Sequence, residues 1–330
     1  MHRPMNEQLS LFIEENTLFN GGVQQLMDMD FKGCIKTLEY YRKLYPWGRS
    51  VDRERDMCLF WIERLGETAA LHCDPEEGER RYRAWLEFEE IFGYPWPDHG
   101  IERPFGVRYF SCVAKGLESC GHGRGPRLPA GTPMGLIYLR AGRPERAVAL
   151  LQSLIETEEE DARAYGYLGD AFVSRGDTAT ARICYLKAFT LGPREVDVEH
   201  LLDTEVRDRL RDLAQQESVQ GDSLGWFAAM GMLEGLFEPA VVRDVEDLRS
   251  WRRRYERLLE AQEREQDPAL VPRLFAHALV LSEHARTLGL TRDFDLVDVR
   301  RRMKEWRPDL FSLYMEGLGE RTSRSKVRFL

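Results

Sequence analysis

Residues 135–154 read GLIYLRAGRPERAVALLQSL, and residues 169–188 read GDAFVSRGDTATARICYLKA. Set 34 positions apart, Gly135, Tyr138, Gly142, Ala147, Leu151 and Leu154 fall over Gly169, Phe172, Gly176, Ala181, Tyr185 and Ala188. The second copy is fuller, reading Tyr165-x2-Leu168-Gly169-x2-Phe172 and closing at Pro193. Each recurring residue has a physical reason. Gly135 and Gly169 stand where two helices of a hairpin cross, and small Ala147, Ala181 and Ala188 meet them from the second helix. Tyr138, Phe172 and Tyr185 fill the space beside those crossings. Gly142 and Gly176 end the first helices in the left-handed conformation. Pro144 suits a first helical position, and Asp177 is an N-cap for Thr178 onward.

That order and period resemble the tetratricopeptide repeat, a 34-residue helix–turn–helix unit. The first copy departs from the family pattern at Gly131, where an aromatic is usual, and at Glu159, where proline is usual. The resemblance implies an all-α fold of stacked helical hairpins, a solenoid, whose task is to bind other proteins. It also implies a concave groove lined by the first helix of each hairpin. Mapped here, the groove positions are Leu136, Leu139 and Arg140, then Arg163, Tyr167, Asp170, Val173 and Ser174. Arg140 and Arg163 would pair with an acidic peptide, and Tyr167 would stack on an anchor side chain. The family's clamp for chaperone C-termini needs lysine and asparagine where this chain has Thr132, Leu136, Gly166 and Asp170, which argues against that specificity.

Around the repeats the chain stays helical. Phe31, Cys34, Leu38, Tyr41 and Pro46 hold the spacing of a second repeat helix, so residues 15–48 read as a degenerate repeat, with a break expected at Asn20-Gly21-Gly22. Met57, Leu59, Phe60, Trp61 and Leu65 predict a largely buried helix over 52–65. Asp74-Pro75-Glu76-Glu77 starts another, carrying Tyr82, Trp85, Phe88 and Phe92. A helix over 104–119 and a glycine- and proline-rich loop over 121–133 lead to the repeats. Val198, Leu201, Leu202, Val206, Leu210 and Leu213 predict a polar-faced capping helix. Beyond a hinge at 218–223 come a small-residue helix over 224–237, a hairpin of helices 241–266 and 268–288, and short helices split by Pro308. A basic, mobile tail is expected from Gly319. The resulting division is 1–125, 126–217, 218–318 and 319–330. No segment reads as a β-strand.

Composition bounds the class of function. The 330 residues carry 43% hydrophobic residues and a net charge of −9. No apolar run approaches the ~20 residues of a membrane helix, and Leu9 to Ile13 followed by two glutamates is too short for a signal peptide core. Six cysteines without regular spacing suit reduced thiols in a cytoplasm. Arginine outnumbers lysine 40 to 7, which points to a GC-rich, bacterial genome. Residues 240–330 hold 19 Lys/Arg against 16 Asp/Glu, so that end is mildly basic while the rest is acidic. Overall acidity argues against nucleic acid as a general partner.

The remaining candidate chemistry is sparse. Cys112, Cys120 and His122, with His99 or Cys73, are the best metal candidates, but the spacing lacks the short Cys-x2–4-Cys or His-x3–5-His pairs of structural zinc. Gly121–Pro126 lacks the Gly-Lys-Ser/Thr ending of a phosphate loop. His277 and His284 are seven apart, not four. Glu158–Asp161 reads as a solvated acidic turn. The triplets Arg252–Arg254 and Arg300–Arg302 sweep too wide an arc for one ligand and have acidic neighbours. The reading is a non-enzymatic adaptor that takes no cofactor and holds a peptide or helix in the groove, with a homodimer compatible with uncapped repeats. Its alternatives are a helical regulator touching nucleic acid through its C-terminal third, and a metal protein or enzyme around Cys112, Cys120 and His122.

Overall fold

The computed structural model describes residues 5–65, 74–97, 100–123, 125–216, 222–238, 242, 244–287 and 295–327; side chains are described over 14–284 and 295–318 within these ranges. The described residues are all-α, with a lone backbone bridge between Arg127 and Pro133. The chain divides into two compact units, Met1–Leu150 and Leu151–Leu330, and the division falls inside a helix of the repeat region.

The first unit opens with a helical hairpin, α1 (Met5–Met27) and α2 (Phe31–Leu44). No break occurs at Asn20-Gly21-Gly22; α1 runs through it. Gly22 explains why, since a Cβ there would stand 2.7 Å from Leu38 Cδ2, so the glycine is a notch for α2. Packing there outweighs the helix cost of glycine, roughly 1 kcal/mol. Asp30 caps α2 through the Gly33 N–H at 2.9 Å, and Phe31, Cys34, Leu38 and Tyr41 are buried as their spacing requires. Next come α3 (Asp52–Leu65), α4 (Pro75–Ile91) and α5 (Glu102–Ser119). Asp74 accepts from Glu77 N–H at 2.8 Å and Pro75 occupies the first helical position of α4.

The aromatic-rich stretch is the core of this unit. Trp61, Trp85, Phe88, Phe105 and Tyr109 are at most 2% exposed, with ring centroids such as Trp61–Tyr109 at 4.6 Å and Trp85–Phe110 at 5.1 Å. Fully burying a phenylalanine ring is worth about 1.5–3 kcal/mol relative to leaving it exposed, and the tryptophans bury more area each. Leu59, placed in the buried stripe by the sequence, is 48% exposed, because α3 turns its 57, 58, 60 and 61 positions inward instead. Gly106 carries the rim of Trp85 where a Cβ would lie 2.7 Å from Cη2. The unit then enters the repeat region with α6 (Met134–Arg140), a turn at Gly142 with φ +70°, and α7 (Pro144–Thr157). Gly142 N–H and Arg143 N–H close the end of α6 onto Leu139 and Tyr138 carbonyls at 3.0 and 2.9 Å.

In the second unit α8 (Ala162–Ser174) and α9 (Thr178–Leu191) form the closest hairpin. Asp161 caps α8 through Ala164 N–H at 2.9 Å and Asp177 caps α9 through Thr180 N–H at 3.0 Å. Gly176 takes φ +80° between them. A Cβ on Gly169 would lie 2.5 Å from Tyr185 Cε1, which is the close crossing the repeat pattern requires. After α9 the expected capping helix begins late. Short 3₁₀ turns at Pro193–Glu195 and Val198–His200 lead to α10 (Thr204–Ala214), capped by Asp203. Within 196–202 the Val196 side chain and the Leu202 backbone N–H meet α8, while the Leu202 side chain is exposed, so the helical spacing of this segment misleads.

Helices α11 (Ser223–Leu233), α12 (Val245–Glu265), α13 (Val271–Thr287), α14 (Leu296–Trp306) and α15 (Pro308–Val327) complete the unit. α11 packs on α9 and α13, with Phe227 4.7 Å from Phe189 and Trp226 5.8 Å from Phe275. α12 and α13 pair as expected, Trp251 lying 5.1 Å from the His277 ring. The mobile tail expected from Gly319 is helical backbone as far as Val327. That stretch contains no proline, so propagating an existing helix costs little.

Glycines at crossings and glycines in open helix should respond oppositely to a side chain. Gly169→Val and Gly106→Val are expected to destabilise by about 1–3 kcal/mol. Gly21→Ala, at an exposed helical site with nothing within 4 Å, should stabilise by roughly 0.5–1 kcal/mol. Urea denaturation of the three variants checks both signs; equal loss at all three sites would contradict the assignment.

Candidate functional site

The expected groove positions divide sharply once their surroundings are known. On α6, Leu136 is 3% exposed and Leu139 half-buried. Arg140 reaches Glu89 at 2.7 Å, with only 13% of its side chain exposed. Glu89 also accepts the Trp85 Nε1–H at 2.6 Å, and the Arg140 guanidinium lies 5.6 and 5.5 Å from the ring centroids of Tyr82 and Phe110. Arg140 is thus tied to α4 and α5, and a charge that the sequence offers to a peptide is already used inside the fold.

On α8 the five positions run down one face. Arg163 is exposed at its start, and Val173 and Ser174 are half-buried and exposed at its end. Tyr167 and Asp170, between them, are 5% and 3% exposed. What covers them is the chain's own segment 196–202. Val196 lies over Gly166, with Cγ1 3.5 Å from where a Cβ would stand. Asp197 lies 3.5 Å from the Tyr167 hydroxyl and 2.7 Å from His200 Nδ1. Leu202 N–H donates to Asp170 Oδ1 at 2.7 Å, and the Tyr185 hydroxyl donates to the same oxygen at 2.6 Å. Arg182 holds the end of the segment through Asp203 at 3.3 Å and through Glu205.

The electrostatics follow from that cover. Burial pushes the Asp170 carboxyl up to about 7, against the pull of the Tyr185 hydroxyl and Leu202 N–H donors. Burial, reinforced by Asp170, raises Tyr185 well above the usual phenol range, so it stays a donor. Sequence reasoning missed the role of Asp170 as an internal anchor. The available signal was Asp197, Leu201 and Asp203 immediately beyond the repeat, which read instead as one helical stripe.

The other candidates are placed as follows. Cys112 and Cys120 are half-buried and His122 is exposed, whereas Cys73 and His99 lie outside the described residues. Among the described residues no group of three His, Cys, Asp or Glu side chains could hold a metal ion. His277 is 1% exposed with Nδ1 2.8 Å from the Arg273 carbonyl oxygen, and burial lowers its pKa to about 3. It is a neutral core histidine.

The acidic turn is not merely solvated. Glu159 and Glu160 pair with Arg254 at 3.4 Å each, and Glu160 also meets Arg257. Burial alone would raise the Glu160 carboxyl, but Arg257 and Arg254 outweigh it and leave it below the usual range. The arginine triplets are engaged internally. Arg252 pairs with Glu256 at 2.6 Å, Arg253 with Glu246 at 3.4 Å, and Arg302 with Asp298 at 2.9 Å and Glu263 at 3.1 Å. Arg301 pairs with Asp298, and Arg300 reaches the Tyr314 hydroxyl at 3.5 Å. Among the described residues, no helix is long and apolar enough to cross a membrane.

Comparison with known proteins meets this geometry at the two hairpins. Residues 132–195 match the tetratricopeptide repeat family. The chain is 39% identical over 62 residues to human (Homo sapiens) "Superkiller complex protein 3", covering 19% of this chain and 4% of that protein. It is 39% identical over 59 residues to the mouse (Mus musculus) protein of the same name, covering 18% of this chain and 4% of that protein. To "Tetratricopeptide repeat protein 37" of Xenopus laevis it is 34% identical over 62 residues, again 19% of this chain and 4% of the other. The chain thus matches a small fraction of the length of these relatives. No solved structure matches the chain.

Two variants test the assigned roles. Arg140→Ala strands a largely buried Glu89 and is expected to cost about 3 kcal/mol, measurable by urea denaturation. A cost under about 0.5 kcal/mol, as for a surface arginine, would refute the tie. Asp170→Asn keeps a carbonyl oxygen for both donors and mimics the protonated acid. Because folding raises this carboxyl, its contribution is full below the ordinary value near 3.9 and is lost as pH rises through about 7. The native chain should therefore lose stability relative to Asp170→Asn between pH 4 and 8, and parallel pH profiles would show the carboxyl is not buried as described.

Proposed function

We propose that the chain is a non-enzymatic protein-interaction scaffold that uses its tetratricopeptide segment, within 126–217, to hold a peptide or helix of a partner. The observation that carries this reading is the match of residues 132–195 to a repeat family that serves as a protein-interaction module. The α8 geometry supports a narrower form of it. With Tyr167 and Asp170 covered by 196–202, the accessible part of the expected groove on α8 is Arg163 at one end and Val173 with Ser174 at the other. A partner meeting that face brings a carboxylate for Arg163 and an apolar contact for Val173. Leu136, half-buried Leu139 and Arg140 on α6 act as support for the repeat, since Leu136 is buried and Arg140 is paired with Glu89. The cytoplasm is the proposed compartment, in keeping with cysteines that lack disulfide spacing.

The nucleic-acid reading through the C-terminal third draws less support, because the triplet arginines already have partners within the unit. The metal reading draws less still, for want of a ligand cluster among the described residues.

A photo-crosslinking side chain placed at exposed Ser174 should capture a discrete protein band in native lysate, whereas one at exposed Asp208 on α10 should not. Adding Arg163→Glu or Val173→Asp to the Ser174 crosslinking chain is expected to cut the adduct roughly tenfold, the loss typical of an interface contact worth about 1.4 kcal/mol. Equal capture from both positions, or none from either, would dismiss the α8 face as the binding surface.

A further inference from the structure

Among the described residues, the most exposed large hydrophobic side chain is neither in the repeat segment nor in a loose loop. Trp47 is 98% exposed, although tryptophan is among the most buried residue types on average. It stands in the turn Tyr45–Gly48 just past α2, and that turn is fixed from both helices of the first hairpin. Gly48 N–H donates to the Tyr45 carbonyl at 2.9 Å, and Arg49 N–H to the Tyr41 hydroxyl at 3.2 Å. The Tyr41 hydroxyl in turn donates to Glu15 at 2.7 Å. The Arg49 guanidinium reaches Asn16 at 2.9 Å and lies 4.3 Å from the Phe19 ring centroid. A Cβ on Gly48 would stand 2.5 Å from the Tyr41 oxygen, so only glycine lets the turn close this tightly. The backbone is held while the indole is left in solvent.

The outer face of α2, which ends three residues before Trp47, is also partly apolar. Tyr40 is 55% and Leu44 50% exposed, one helical turn apart. At 100° per residue Lys36, Tyr40 and Lys43 share the centre of this face, opposite buried Leu38 and Tyr41. Lys36 and Lys43 are exposed, and neither makes an ion pair or hydrogen bond with the described residues. Three of the chain's seven lysines lie between Lys32 and Lys43, in a sequence that otherwise uses arginine for its cations. Glu39 is the acid on the same face.

We propose that this face is a docking surface for an acidic segment of a partner protein, one that places an apolar side chain against Tyr40, Leu44 and Trp47 and carboxylates against Lys36 and Lys43. Three exposed apolar side chains on and just past α2, with two amines that have no partner among the described residues, are matched by a ligand with both characters. A rigid turn presenting an aromatic anchor lowers the ordering cost of binding. Two amines neutralise few phosphates, and a chain of net charge −9 opposes a long polyanion, so nucleic acid suits the face less well. This surface lies on a different element from the α8 face and stands or falls apart from it.

The test uses the full chain and a fluorescein-labelled glutamate-rich peptide carrying leucine and phenylalanine, read by anisotropy. Half-saturation is expected at about 10–100 µM, as for a short, weak docking segment. Lys36→Glu/Lys43→Glu and, separately, Trp47→Ser should each weaken binding at least roughly tenfold, or about 1.4 kcal/mol, with unchanged melting curves because all three positions are exposed. The same peptide with serine for its apolar residues should bind at least roughly tenfold more weakly than the parent. No binding of the parent peptide, equal binding by the variants, or equal binding of the serine peptide overturns the proposal. Tighter binding of oligouridylate or of phosphatidylserine vesicles, lost in the same variants, also overturns it and reassigns the face to a nucleic acid or a lipid surface.

Discussion

The missing Cβ of Gly169 sets the geometry of the repeat region's second hairpin. Because nothing projects from α8 at that point, the Tyr185 ring of α9 closes to a distance no larger residue would permit. That approach brings its hydroxyl to 2.6 Å from Asp170 Oδ1. The same oxygen takes the Leu202 N–H, so one close helix crossing fixes one carboxylate, which fixes the path of the next segment. An isolated buried carboxyl would cost several kcal/mol. Here two donors converge on it and Tyr185 remains protonated, which makes the group tolerable inside the fold.

A similar economy of charge runs through the rest of the chain. Glu89 is shared between Trp85 and Arg140, and Arg140 lies near two aromatic rings. Buried Glu102 meets Arg53 at 2.5 Å, and Glu79 accepts from Thr132 at 2.8 Å. Arginine suits these places because its planar fork bonds in several directions while its stem packs on apolar surface. The consequence for function is subtractive. Many of the arginines that look available in the sequence are engaged, and the cations left to meet a partner include two lysines on α2.

Caps, stops and crossings were legible because they depend on a few residues close in sequence. Asp74 before Pro75, Asp177 before Thr178, and Gly142 and Gly176 at positive φ all act within one turn of where they stand. The buried stripe of α2 was legible for the same reason. Misreadings came where a distant element decides. Gly22 looks like a helix breaker until Leu38 is seen to need the space. Val198, Leu201 and Leu202 have helical spacing, yet this segment runs across α8 because Asp170 captures its backbone. Of the expected groove positions, family spacing put five on one face of α8, but did not tell which of them the chain itself would cover.

By itself, the sequence determined an all-α fold with a tetratricopeptide-like pair over about 128–193, where the family matches 132–195, since a 34-residue period of glycines, alanines and aromatics is a local code for helices that cross closely. Only the tertiary structure decided which of those residues remain open to a partner. Exposure is a property of what a side chain finds opposite it, and for Arg140 and Asp170 those partners, Glu89 and Leu202, lie 51 and 32 residues away along the chain.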